Sequence, residues 1–448
     1  MVFRKGFAIM NRRLWLFASY FATWALALLI SQLEKWANWT LVALISLLVI
    51  PLSLLLGKML KSYADATTSS VSKFTVLFFI IYPVILAFLE FGFIQPYKFW
   101  ANFGADSMKT DKKIVPLGDL VHITGAAHCA NPPIVGAQVC DPWERPLNQN
   151  PLVINIFHEL HLTNVLLVGV SSYFLFALIV LAYVRERRVA GIALPLFLCT
   201  SPVILAIERG NEIITLFLIL AGFLLLQASP FTYQIFGASF LSAAAIFKLW
   251  PVVLVCSLII LLWKSLSKLS IFIMSLSVVY WILHLSMALK IVDATQSGSI
   301  AGLSFGFKLF RNVPFSSLFV LLFLLISAYC IYIIFSFSAF GNSSELLKGR
   351  FEGAYLHAVF VTYFCICALG SNFAYRLIVL LPGILILSRQ EFSTNIWARN
   401  SMAFILITAT TAKFPIFNAL SSALALYLMT FVIVAILNHL KITQRSRG

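Results

Sequence analysis

Asp119 and His122 stand three residues apart in Pro116-Leu-Gly-Asp-Leu-Val-His-Ile, where Leu117, Leu120, Val121 and Thr124 fall on one helix face. That pattern reads as a helix lying on a membrane surface, with a carboxylate and an imidazole on neighbouring positions. A carboxylate held there can take a proton from an alcohol as a general base. Gly-Asp before an apolar run also fits a simple helix N-cap. A second cluster, Cys140-Asp-Pro-Trp-Glu-Arg-Pro-Leu-Asn-Gln-Asn-Pro151, brings Asp141, Trp143 and Arg145 together on a stretch its prolines keep non-helical. An indole face among carboxylates suits a carbohydrate; a turn-rich structural loop has the same composition. Asp106 lies upstream in the same polar connection.

Cations make up the third group. Arg209 sits in Glu208-Arg-Gly-Asn-Glu212, Lys248 in Lys-Leu-Trp-Pro251, and Arg376 at the end of Gly370-Ser-Asn-Phe-Ala-Tyr-Arg. Each borders an apolar run on what charge placement makes the same side. Together they suit the phosphate of an anionic lipid headgroup. Ion pairing and helix capping would also explain the Glu208–Glu212 stretch, and snorkelling to the interface would explain each cation alone. No compact metal-ligand spacing occurs, so no metal and no cofactor is expected.

The elements that position these residues follow from composition. The chain has 448 residues, 61% hydrophobic and 11% charged, with a net charge of +16. Soluble proteins carry roughly a quarter charged residues, so this is an all-α polytopic membrane protein. It has no Walker loop, no His-Glu-x-x-His helix and no glycine fingerprint, which excludes a cytosolic ATPase or dinucleotide-binding module. The basic excess reports topology and not a nucleic-acid partner, because Lys and Arg gather in cytoplasmic connections. Such clusters occur at Arg12–Arg13, Arg185–Arg188, Lys264–Lys268, Lys348–Arg350 and in the tail from Lys441.

Apolar runs able to cross a bilayer cover 14–33, 39–57, 74–94, 163–184, 190–207, 213–228, 270–290, 314–338, 354–369, 373–388, 399–413 and 416–439. A split pair, 235–247 and 251–263, is interrupted by Lys248, Trp250 and Pro251. Its two readings are a re-entrant pair and one long helix kinked at Pro251. The kinked helix would put Lys264 and Lys268 outside, so the re-entrant pair is preferred. Both termini are then cytoplasmic, and the connection 95–162 between the third and fourth spans faces outward. Cys129 and Cys140 lie in that outer loop, where they could pair or remain two free thiols.

The ordered set of an acidic outer loop, Ser201-Pro-Val-Ile-Leu-Ala-Ile-Glu-Arg-Gly-Asn211, Ser242-Ala-Ala-Ala-Ile-Phe-Lys-Leu-Trp-Pro251 and Leu369-Gly-Ser-Asn-Phe-Ala-Tyr-Arg376 resembles the GT-C superfamily of glycosyltransferases. It is similar to the bacterial integral-membrane branch that uses polyprenyl-phosphate sugars. The resemblance spans about 116–382, on a few motifs, of which Arg-Gly-Asn and Lys-x-x-Pro are the most specific. It implies a bundle of about 12 spans plus the broken pair, with residues 61–448 as the transferase domain and 1–60 as a two-span addition. It further implies a polyprenyl-phosphate sugar donor, a glycan or glycolipid acceptor and inverting transfer at the outer face of the cell membrane. Asp119 takes the position of the catalytic base, with Asp106 and Asp141 as further candidates. His122, Trp143 and Arg145 fall where an acceptor would be bound, and Arg209, Lys248 and Arg376 where the donor phosphate would be. Two departures are a Glu between Trp143 and Arg145 where related chains have Gly, and the absence of a Tyr from Asn148-Gln-Asn-Pro. The competing class is a secondary transporter or a flippase for lipid-linked saccharides, which the many spans and broken pair would suit and the absence of inverted repeats opposes.

Overall fold

The structure, a computed structural model, describes residues 68–90, 118–129, 133–137, 146–189, 191–228, 230–294, 304–305, 350–369, 372–389 and 395–412, with parts of 420–432. These are largely helical. The first two apolar runs, the run 314–338, Asp106, Cys140, Asp141, Trp143 and Arg145 lie outside the described residues.

Helix α1 (Thr68–Glu90) turns Val71, Thr75, Phe79 and Tyr82 inward and leaves Phe74, Leu77, Ile80 and Ile81 exposed. That is the stripe of a 3.6-residue period, but both faces are apolar. After α2 (Gly118–Cys129) and α3 (Pro151–Glu159), helix α4 (Val165–Glu186) repeats the theme. Leu167, Val170 and Phe174 are more than 60% exposed on it, while Phe176, Val180 and Tyr183 are wholly buried. The two helices are joined where Phe79 meets Tyr173 and Phe176 edge-on and the Tyr173 hydroxyl donates to the Phe79 carbonyl at 3.0 Å. Among the described residues, Leu167–Glu186 is long and apolar enough to cross a membrane.

The run expected as one span over 190–207 is instead two short helices, α5 (Ala193–Leu198) and α6 (Ser201–Arg209). Thr200 lies between them in an extended conformation, and Pro202 in the first turn of α6 needs no amide partner there. Gly210, at φ +80°, then turns the chain by 98° into α7 (Asn211–Leu226). Only glycine adopts that φ without a Cβ clash, which explains its place in Arg-Gly-Asn.

Helices α7 and α8 (Phe231–Phe247) form a close antiparallel pair. A Cβ on Gly237 would stand 2.5 Å from the Leu226 nitrogen and 2.7 Å from the Gly222 oxygen. Backbones approach this closely only where neither helix carries a side chain, a device common between membrane helices. The expected break follows: α8 stops at Lys248 and α9 (Pro251–Leu262) starts on a proline. The run 270–290 is bent rather than straight, with α10 (Lys268–Leu283) and α11 (Leu285–Ala294) meeting at 74° across His284. The turn lets Ala288 and Ile291 pack with Trp281 against Leu249 and Val252.

Helix α12 (Arg350–Leu369) and the fully buried α13 (Leu381–Leu387) complete the centre. Tyr355 of α12 stacks on Phe223 of α7 with ring centroids 3.5 Å apart. A 3₁₀ segment, Ala374–Leu380, precedes α13 where a straight span was expected; Pro382 in the first turn of α13 lacks the amide that would continue a helix ladder. A two-residue antiparallel pair, β1 (Ser304–Phe305) and β2 (Asn372–Phe373), sits just ahead of the segment. Helix α14 (Ile396–Thr410) packs on α5, α6 and α13. The result inverts a soluble fold: Asp119, Arg209 and Glu212 are buried, while Phe236, Phe272, Ile282 and Leu283 face outward.

Candidate functional site

Helix α2 forms over Gly118–Cys129, where the sequence places it, with Asp119 in its first turn. It is not laid on a surface. Leu120, Ile123, Ala126 and Ala127 are wholly buried, and so, nearly, are Asp119, His122 and Thr124. Leu120 of the face that suggested a bilayer contact packs instead, with Ile123, Ala126 and Ala127, in a small core with Leu147, Ile154, Phe157 and Phe247, and Val121 of that face is half-buried. His158 on α3 fixes the far end of α2, its Nδ1 lying 2.7 Å from the Ala127 carbonyl.

Burial of Asp119 demands a counter-charge, and Arg209 at the end of α6 supplies it. Its Nη1 donates to Asp119 Oδ1 at 3.1 Å, and both side chains are about nine-tenths buried. The 98° turn at Gly210 then sets Glu212 in the first turn of α7, the helix end that favours a carboxylate. Glu212 is 1% exposed and accepts from the Trp250 indole Nε1 at 3.3 Å.

Lys248 is delivered by the break after α8. Its backbone is extended, closing the helix with one bond to Ala244, and its Nζ donates to Gln149 Oε1 at 3.3 Å. Gln149 belongs to Asn148-Gln-Asn-Pro, whose Asn150 is the busiest side chain nearby. Asn150 caps α3 through Leu152, donates to the Ile246 carbonyl at 2.9 Å and accepts from the Tyr280 hydroxyl at 2.8 Å. Trp281 adds a bond from its indole to Ala245 at 2.7 Å. The ends of α8 and α10 and the start of α3 are thus tied in one knot.

Of the residues singled out in the sequence, the structure brings Asp119 and Arg209 into contact and holds Lys248 on Gln149. Arg376 is half-buried on the 3₁₀ segment, which packs along α6, the helix ending in Arg209. His122 is buried on the turn after Asp119. Sequence reasoning passed over Glu212, Gln149, Asn150, Trp250 and Tyr280 as site residues. Asn-Pro before an apolar helix is a readable N-cap signal, and it would have marked Asn150; nothing local marks Tyr280.

Chemically, the group offers two buried carboxylates, a guanidinium, an ammonium and several amide and indole donors. That set can bind an anion and accept a proton from a hydroxyl. Among the described residues, no cluster of three or more His, Cys, Asp or Glu side chains forms that could hold a metal ion. Cys129 at the end of α2 is disulfide-bonded; Cys140, which the sequence left either paired with it or a free thiol, lies outside the described residues. Comparison with protein-family models, with curated proteins and with solved structures finds no match to this chain.

Proposed function

We propose that this chain is a membrane glycosyltransferase of the GT-C type, transferring a hexose such as mannose from a polyprenyl phosphate to an acceptor hydroxyl with inversion. The observation that carries the reading is the buried Asp119–Arg209 pair, joined at one end of the bundle by Lys248. It places an acid beside the cation that a leaving phosphate needs.

In this reading the donor phosphate competes with Asp119 for Arg209, assisted by Lys248 and Arg376. Once the guanidinium turns to the phosphate, the Asp119 carboxylate is free to accept the hydrogen of the acceptor hydroxyl. The acceptor oxygen attacks the anomeric carbon from the face opposite the phosphate. The new C–O bond forms as the bond between the anomeric carbon and the phosphate oxygen breaks, with its electron pair leaving on the phosphate and the acceptor's proton passing to Asp119. Positive side chains stabilise that charge, so the reaction as read needs no metal and no cofactor. His122, Trp143, Arg145, Asp106 and Asp141 are assigned to acceptor binding or as further acids of the outer loop. About 12 spans with cytoplasmic termini complete the arrangement, in a cell membrane with the site on the outer face.

The test is sugar transfer from polyprenyl-phosphate-linked donors by purified protein in detergent, wild type against Asp119→Asn. Loss of rate by 10²-fold or more is the size expected for a missing base, roughly 10²–10⁴-fold, and it should persist with EDTA present. Undiminished transfer by the variant moves the base to Asp106 or Asp141. Absence of transfer with every donor sinks the enzyme reading.

A second reading, a transporter or flippase for lipid-linked saccharides, is favoured by the two sharply bent helix pairs, at 98° and 74°. Broken helices at a binding site recur in such proteins. Movement of a fluorescent polyprenyl-phosphate sugar across proteoliposomes without its consumption would select that reading.

A further inference from the structure

Several helix ends meet at the far end of the bundle from Glu212 and Lys248. Helix α7 is 16 residues long, so its far end lies about 24 Å from Glu212. There Arg187, which follows α4, donates to the side chain of Gln227, which follows α7, and at 3.3 Å to Glu352 in the first turn of α12. Arg389, which follows α13, binds the same carboxylate. Helix α14 begins at this level too, because the Ser388 hydroxyl at the end of α13 donates to the Met402 sulfur at 3.3 Å.

Arg399 lies one turn before Met402, in the first turn of α14. It is 7% exposed, and its Nε and Nη1 are buried with no hydrogen-bond partner among the described residues. Burial acts on it, but no charged side chain among the described residues does. A guanidinium does not shed its proton in a protein, so the charge stays. Snorkelling would bury the stem and leave the head in water, whereas here nitrogens of the head are covered. The position in the helix adds to the cost, since the first turn of a helix carries the positive end of its dipole. Asn395 caps that turn, its side-chain oxygen accepting from the Ala398 N–H at 3.2 Å, and brings no negative charge. Long helical side chains lean toward the N-terminus, so the guanidinium and the positive helix end converge. A buried charge calls for a counter-charge, and an ionisable side chain inside a membrane bundle marks a functional site by default.

We propose that Arg399 and the N-terminal end of α14 form a binding site for the phosphate group of an anionic ligand. Phosphate brings negative charge for the guanidinium and the helix end, and oxygen acceptors for N–H groups that lack one. The same chemistry is offered by an anionic phospholipid headgroup and by free inorganic phosphate. The basic residues flanking α4 put this end on the cytoplasmic side, and the proposal stands whether or not the opposite end transfers sugar.

The test uses the full chain. Phosphatidylglycerol retained in native mass spectra, and the melting shift caused by inorganic phosphate in phosphatidylcholine nanodiscs, are compared for wild type, Arg399→Gln and Arg399→Lys. Arg399→Gln removes a charge that the protein itself does not neutralise, so without added phosphate it should melt no lower than wild type. It should lose one retained phosphatidylglycerol or weaken phosphate binding by roughly tenfold or more, the size of one charge-assisted hydrogen bond. Arg399→Lys keeps the charge and should lose less. Retention that falls in Arg399→Gln without any phosphate-induced shift identifies a lipid headgroup as the ligand. A shift abolished by Arg399→Gln identifies free phosphate. Equal retention and equal shifts in wild type and Arg399→Gln overturn the site. Melting of Arg399→Gln well below wild type without added phosphate overturns it as well, because the chain would then supply the counter-charge.

Discussion

Asp119 Oδ1 and Arg209 Nη1 are 3.1 Å apart, one in the first turn of α2 and the other in the last turn of α6, ninety residues later. Removing one member of a buried pair strands the other charge, at a cost of about 3–5 kcal/mol. Arg209→Met should therefore lower the melting temperature in detergent far more than Asp119→Asn, which keeps an oxygen for the guanidinium to bind. Equal melting temperatures for the two variants would show that the pair is not a buried one.

The contact between Gly222 and Gly237 is asymmetric. A methyl on Gly237 meets backbone at 2.5 and 2.7 Å, whereas one on Gly222 first meets the Leu241 side chain at 2.8 Å. Side chains yield and backbone does not. Gly237→Ala should thus destabilise by more than the roughly 1–3 kcal/mol usual for overpacking, and Gly222→Ala by less than Gly237→Ala. Thermal unfolding of the purified variants measures the order, and its reversal would contradict the packing.

Asn150 makes one cap bond and two tertiary ones. Loss of an N-cap costs about 1 kcal/mol, and each stranded buried partner adds to it. Asn150→Ala should cost more than Tyr280→Phe, which breaks one of the three and is expected near 1 kcal/mol. Under the proposed function Asn150→Ala also weakens sugar transfer, because the neighbouring Gln149 holds Lys248.

Cys129 is oxidised, whereas Cys199, Cys256, Cys365 and Cys367 are free thiols. On intact cells, a membrane-impermeant maleimide should label Cys129 only after a reductant is added. Labelling without reduction would remove the disulfide, and labelling only from the cytoplasmic side would reverse the topology.

How far the sequence carried these conclusions differs from residue to residue. The helix bearing Asp119 and the break at Lys248–Pro251 were legible, because Gly-Asp before an apolar run and Pro after a cation are local signals. The burial of Asp119 was not. Its neutralising partner is remote in the chain, so the one-sided pattern of Leu120, Val121 and Thr124 read as a lipid contact although Leu120 and Thr124 are buried in protein. The bends at Thr200 and His284 were hidden for a related reason. In a chain this apolar, hydropathy stays high through a corner, and what turns the corner is tertiary packing of Ala288 and Ile291 at one bend and an extended Thr200 ahead of Pro202 at the other. Tyr280, deep in an apolar run, acquires its role only from Asn150 reaching it.

The glycine contact has a mechanical consequence. Gly222 and Gly237 pin two antiparallel rods together, and the ends on one side carry Glu212 and Lys248. Measured from the pin, the arms are about 15 and 16 Å long at a rise of 1.5 Å per residue. The pair is a caliper with matched jaws: the gap between carboxylate and ammonium is set at the pivot, and a tilt of a few degrees there opens or narrows it at the tips.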